Sequence, residues 1–139
     1  MFKKILIAYD GSENSRRAAQ LAGELARKQE NSEMWLVVVM DMVSITLGEP
    51  FITEVINQLT KEGKELLQEA KQILGKDLDV HNELLFGSPA ESILDTAKNK
   101  GCDLIVMGAR GLSGLRGLLM GSQVNKVISH STCPVLAVK

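Results

Sequence analysis

The sequence predicts a doubly wound α/β fold with a parallel sheet at its centre. Three observations lead there. Short apolar runs such as KILIAY, MWLVVVM and DLIVM are continuous instead of alternating, the pattern of strands covered on both faces. Between them lie longer stretches whose apolar residues recur at helical spacing. Strand and helix patterns also take turns along nearly the whole chain, five of the first and four of the second, which is the order that builds right-handed crossovers.

Taken in order, Lys4 to Tyr9 is the first strand. Asp10-Gly11-Ser12 interrupts it, and Ser12 stands where it can cap a helix over Glu13 to Lys28. That helix carries one apolar stripe of Ala18, Ala19, Leu21, Ala22, Leu25 and Ala26. Met34 to Met40 is the second strand. Asp41 to Pro50 has little period, ends in Gly48 and Pro50, and reads as a loop. From Phe51 to Leu74 the apolar residues Ile52, Val55, Ile56, Leu59, Leu66, Leu67, Ala70, Ile73 and Leu74 define an amphipathic helix, roughly 36 Å long at the usual rise. Gly63 inside it costs about 1 kcal/mol relative to Ala.

Val80 to Phe86 is the third strand candidate. In Gly87-Ser88-Pro89-Ala90-Glu91 the pattern makes Ser88 the N-cap, Pro89 the first helical residue and Glu91 the capping-box acid. The helix runs through Ile93, Leu94 and Ala97 to Lys100, and Gly101 closes it. Asp103 to Met107 is the fourth strand. Ser122 to Ser131 is a helix with Val124, Val127 and Ile128 on one side, and Val135 to Val138 is the last strand.

With 139 residues, 45% apolar and 24% charged, the composition is that of one globular domain, expected over residues 1–139. Aromatic residues are scarce, so the core must be built from Leu, Ile, Val, Ala and Met. The balance of 16 basic and 17 acidic residues argues against an electrostatic grip on nucleic acid, which needs clustered cations. No apolar run approaches the roughly 20 residues of a membrane span. The opening MFKKILIAYD ends at an aspartate without a small-residue cleavage site and reads as a strand, not a signal peptide. Cys102 and Cys133 form no C-x-x-C, so a reduced, cytoplasmic setting is expected.

The most informative stretch is MGARGLSGLRGLLMGSQV, Met107 to Val124. It lies between the fourth strand and the last helix, and six of the chain's twelve glycines fall in it or next to it. A glycine-rich loop can turn its N–H groups inward through positive φ, and a concave row of them ahead of a helix N-terminus is an anion site. Doubly wound sheets bind ligands beyond the carboxyl ends of their strands, where strand order reverses. A reversal between strands one and four would put Asp10 beside this loop. Neither a Walker A loop nor G-x-G-x-x-G is present, so any nucleotide site is of another kind.

The spacing G-x2-G-x9-G-S, in Gly108, Gly111, Gly121 and Ser122, combines with ILIAYDGS near the start and CPVLAV near the end. Together they resemble the ATP-binding branch of the universal stress protein family, over the whole chain. The resemblance implies five parallel strands in the order 3-2-1-4-5 with helices on both faces, a Rossmann-like, adenine nucleotide alpha hydrolase-like fold. It implies ATP, with or without Mg²⁺, in the cleft just described. Residue by residue, Asp10 with Ala8 and Tyr9 matches the first-strand tip that contacts adenine and ribose. Val39 matches the second-strand end against which adenine packs. Met107, Gly108, Arg110 and Gly111 match the segment flanking ribose and phosphate, while Gly121, Ser122 and Gln123 match the helix N-terminus that receives the phosphates. One departure stands out: the family often has Ser or Thr where this chain has Val124, leaving only a backbone N–H there.

Catalytic alternatives have less support. His81 and His130 have no partner at metal-ligand spacing, there is no G-x-S-x-G elbow, and Asp41 after the second strand suits a loop cap. The expected function is therefore ATP binding by a nucleotide-dependent regulator of the stress response. Its rivals are a slow ATPase or phosphotransferase in the same cleft, and a nucleotide-free homodimeric module. Leu112 to Met120 is expected to cover the triphosphate, with Arg116 a solvated cation or a phosphate partner. The apolar last strand, Cys133 to Val138, would be an open edge in a monomer, and the resemblance implies a homodimer through it.

Overall fold

In a computed structural model, which describes residues 1–41, 51–110 and 121–139, the nine expected elements form one parallel sheet and its flanking helices. They are β1 (Lys4–Ala8), α1 (Glu13–Arg27), β2 (Glu33–Met40), α2 (Phe51–Leu74), β3 (Asp79–Phe86), α3 (Pro89–Lys100), β4 (Leu104–Gly108), α4 (Ser122–His130) and β5 (Val135–Val138). Their bounds lie within about one residue of those expected, since the ends of helices and strands fray. The sheet order is β3-β2-β1-β4-β5, so the reversal falls between β1 and β4. Ile5 and Ile7 of β1 lie opposite Met34 and Leu36 on one side and Leu104 and Val106 on the other.

Side chains alternate between two covered faces, as the pleat requires. Ile5, Ile7, Met34, Leu36, Val38, Leu104 and Val106 pack under the small stripe Ala18, Ala19, Ala22 and Ala26 of α1 and under Leu67, Ala70 and Leu74 of α2. Leu6, Val37, Val39, Ile105 and Met107 face the other way, onto Ala90, Ile93 and Ala97 of α3 and Val124 and Val127 of α4. Burial on both faces explains why these strands read as unbroken apolar runs. Gly63 also has a reason: a Cβ there would overlap the Leu84 side chain of β3, so the glycine lets α2 lie close to the sheet.

One local expectation is corrected. Ser12 caps α1, its hydroxyl accepting the Ser15 N–H at 3.2 Å, but Ser88 makes no such bond at α3. There the Ala90 N–H donates instead to Oε1 of Gln123 at 2.9 Å, and Glu91 pairs with Lys126 at 3.4 Å rather than closing a capping box. A tertiary partner has replaced the local one. Of the glycines between Met107 and Val124, the described Gly108 and Gly121 do not have positive φ, and Gly111, Gly114 and Gly117 lie outside the described residues. Gly121 is extended at φ −63°, and the described glycines in the left-handed region are Gly11, Gly75, Gly87 and Gly101.

Candidate functional site

The carboxyl ends of β1 and β4 lie side by side at the reversal point, the place where doubly wound sheets bind ligands. On the β1 side the backbone turns sharply through Asp10, Gly11 and Ser12 into α1. Oδ1 of Asp10 accepts the Ser12 N–H at 2.8 Å, the Asp10 N–H donates to Oγ of Ser15 at 3.3 Å, and that hydroxyl donates to the Ser12 carbonyl at 2.9 Å. The aspartate is thus held by its own turn, with its carboxylate kept near the strand tip. Ser15, buried and central to this turn, escaped the sequence reading, although its three-residue spacing from Ser12 was the available signal.

On the β4 side, Gly108 meets the first turn of α1. A Cβ at Gly108 would stand 2.9 Å from Cβ of Asn14 and 2.9 Å from the backbone nitrogen of Ser15. The glycine is there so that two backbones can touch, and not for an unusual φ. Ala109 continues the ladder, its N–H donating to the Val138 carbonyl at 2.7 Å, and Arg110 is exposed just beyond. Gly111, Arg116 and the remainder of 111–120 lie outside the described residues, as does the expected loop over 42–50.

Four of the predicted positions line one face together. Ala8, Val39, Met107 and Val124 all belong to the apolar cluster under α3 and α4, and Val124 is fully buried. The departure at Val124 is therefore a core contact that anchors α4 on the sheet, leaving only its backbone N–H for a ligand. Gly121 is the buried N-cap of α4 and makes no side-chain cap. The N–H groups of Ser122, Gln123 and Val124 have no carbonyl behind them in the helix, as in any first turn. The donor set suits an anion. Ser122 is exposed, whereas the Gln123 side chain is turned to α3 and offers a ligand only its main chain.

Tyr9 is placed differently from its neighbours. Its side chain is 2% exposed and enters the opposite cluster, beneath α1 and α2, where its hydroxyl donates to Oε1 of Glu69. Burial, and then the carboxylate beside it, push its pKa up to about 12. Its main chain extends the ladder to β2, its N–H donating to the Val37 carbonyl at 3.0 Å.

The histidines sit elsewhere. His81 stacks on Trp35 at 4.7 Å between ring centroids, with Nε2 3.3 Å from Glu33, near the amino end of β3. Nδ1 of His130 donates to the Lys126 carbonyl at 3.0 Å. Asp41 is exposed after β2. Among the described residues there is no group of three or more His, Cys, Asp or Glu placed to hold a metal, and no helix is long and apolar enough to cross a membrane. What the arrangement offers is an oriented carboxylate, an apolar floor and free helix N–H groups.

A profile described as the universal stress protein family matches residues 1–139. The chain is similar to universal stress protein YxiE of Bacillus subtilis, 40% identical over 149 residues with both chains covered in full. It is similar to universal stress protein MJ0531 of Methanocaldococcus jannaschii, 41% identical over 143 residues, which span all of this chain and 83% of that one. Among solved structures it superposes on MJ0577, from the same archaeon, with a TM-score of 0.89 at 34% identity, covering 100% of this chain and 96% of that one. It superposes on the universal stress protein from Archaeoglobus fulgidus in complex with dAMP with a TM-score of 0.73 at 25% identity, covering 99% and 98%.

Proposed function

The chain belongs to the universal stress protein family, and from that premise we propose that its cleft binds ATP and makes the protein a nucleotide-dependent regulator. The observation that carries the reading is the meeting of the Asp10 turn with the β4 tip at the reversal of strand order. The dAMP complex of the Archaeoglobus fulgidus relative supports an adenine nucleotide as the class of ligand. In this reading the Asp10 carboxylate accepts from the ribose hydroxyls, and adenine lies over the apolar floor of Ala8, Val39 and Met107. The phosphates meet the main chain from Gly108 to Gly111 with Arg110, and the N–H groups of Ser122, Gln123 and Val124 at the positive end of α4. The protein acts in the cytoplasm, where ATP is abundant and Cys102 and Cys133 stay reduced.

Thermal unfolding with and without ATP tests this against the nucleotide-free rival. A ligand at a hundred times its dissociation constant stabilises by about 2.7 kcal/mol, which for a chain of this size raises Tm by roughly 5–10 °C. An unchanged Tm in millimolar ATP, with or without Mg²⁺, favours the rival.

The same reading includes a homodimer through β5, an edge strand in the sheet order. The Pro134 and Val138 carbonyls accept from β4, so by alternation the main-chain groups of Val135 and Ala137 face the open edge. Ala137→Pro removes an outward N–H without touching the β4 ladder. The dimer should dissociate in sedimentation experiments, and a variant still dimeric at the same concentration would rule out pairing along this edge.

A further inference from the structure

We propose that Glu69 of α2 is a positioning residue for the cleft, because it clamps the Asp10 turn from both sides. The inference rests on the reading that Asp10 contacts the nucleotide. The turn from Asp10 to Ser15 is bracketed by Tyr9 and Arg16. One oxygen, Oε1 of Glu69, accepts from both: from the Tyr9 hydroxyl, and from Nε and Nη2 of Arg16, each at 2.9 Å. Glu69 is 60 residues from Tyr9 and 53 from Arg16, so this contact exists only in the folded state.

α2 also touches the middle of the turn. Gly11 has φ +82°, and a Cβ there would come within 2.7 Å of Cδ2 of Leu66, one helical turn before Glu69. The turn is therefore seated on α2 at its centre and pinned at both flanks. Its internal hydrogen bonds define its shape, but they do not set where it sits relative to β4. The β1–β4 ladder and the Gly108 contact seat it on the β4 side, and Tyr9 and Arg16, both answering to the same carboxylate, hold it from the α2 side. The Tyr9 hydroxyl and then Arg16 hold the Glu69 carboxyl below the usual carboxylate range, so it is ionised at neutral pH. Hydrogen bonds to an ionised acceptor are the stronger kind.

A carboxylate that merely tied α1 to α2 would, when lost, weaken the whole fold and every ligand alike. A positioning residue acts selectively. The test uses Glu69→Ala in the full chain, read first in the ligand-free protein by amide hydrogen exchange. Exchange of the Ser12 N–H, which donates to Asp10, should rise about tenfold relative to that of Val106 in the sheet, as expected when a cleanly ordered local bond opens separately from the core. ATP affinity should fall about tenfold, while affinity for inorganic tripolyphosphate, which has no ribose, should stay within about twofold. In an Asp10→Ala background the Glu69 substitution should leave ATP affinity unchanged.

Equal losses for ATP and tripolyphosphate, an effect that persists without Asp10, or Ser12 exchange that only follows Val106 would each overturn the proposal. A wild-type protein that binds no ATP would instead defeat the reading of the cleft, and the Ser12 exchange would then decide the clamp by itself.

Discussion

Gly108→Ala is expected to cost about 1–3 kcal/mol of stability, the usual penalty for forcing a methyl group into filled space. The added Cβ would lie 2.9 Å from Asn14 Cβ and 2.9 Å from the Ser15 nitrogen. Neither obstacle is the loose end of a long side chain, so α1 must retreat from β4. Retreat strains the Ser12 cap on the Ser15 N–H and the bond from the Asp10 N–H to Ser15. The same substitution should therefore loosen the Asp10 turn, and ATP affinity should fall with stability. Urea unfolding measures the first effect and calorimetric titration the second. An unchanged urea midpoint would mean that the contact between α1 and β4 is looser than described.

The second large effect lies on the alkaline side. The Tyr9 phenol is pushed from 10.0 up to about 12 by burial and by Glu69. Folding favours its neutral form, so its contribution is complete below pH 10 and is lost as the pH rises toward 12. A rise of that size corresponds to about 3 kcal/mol at most. The chain has a single tyrosine, so tyrosinate absorbance reports on this group alone. Tyr9→Phe should flatten the fall in stability between pH 10 and 12 relative to wild type. Near neutral pH it should cost about 1.5–3 kcal/mol for the lost hydrogen bond to an ionised carboxylate. A tyrosine that titrates at its ordinary value in the folded protein would refute the buried geometry.

The fold was readable because its causes are local and repeated. Two-sided burial turned the strands of β1, β2 and β4 into continuous apolar runs, and α2 announced itself through nine apolar positions on one stripe. The position of the cleft followed from strand order. The details of the site were less readable, each for a physical reason. Gly108 looked like a phosphate-loop glycine, but its immediate reason is the approach of α1, a contact between residues nearly a hundred positions apart. Gln123 looked like a phosphate ligand, yet its side chain has taken over the cap that Ser88 was expected to supply. Tyr9 was grouped with Ala8 and Asp10 by adjacency, although the pleat sends its side chain to the opposite face. Glu69 could not be found at all, since nothing in its helical neighbourhood marks it apart from other surface acids. The departure at Val124 has a tertiary cause that a single sequence does not display, because its side chain is fully buried in the core.

The central claim is that ATP sits where β1 and β4 diverge, and backbone amide chemical shifts during an ATP titration test it most directly. The predicted result is a cluster of shifts at Asp10 to Ser12, Gly108 to Arg110 and Gly121 to Val124, with the sheet's other end silent. Shifts centred instead on the surface cavity bounded by Arg27, Asn31, Asp77 and Leu78 at the opposite end of the strands, or no shifts in millimolar ATP, would contradict the account.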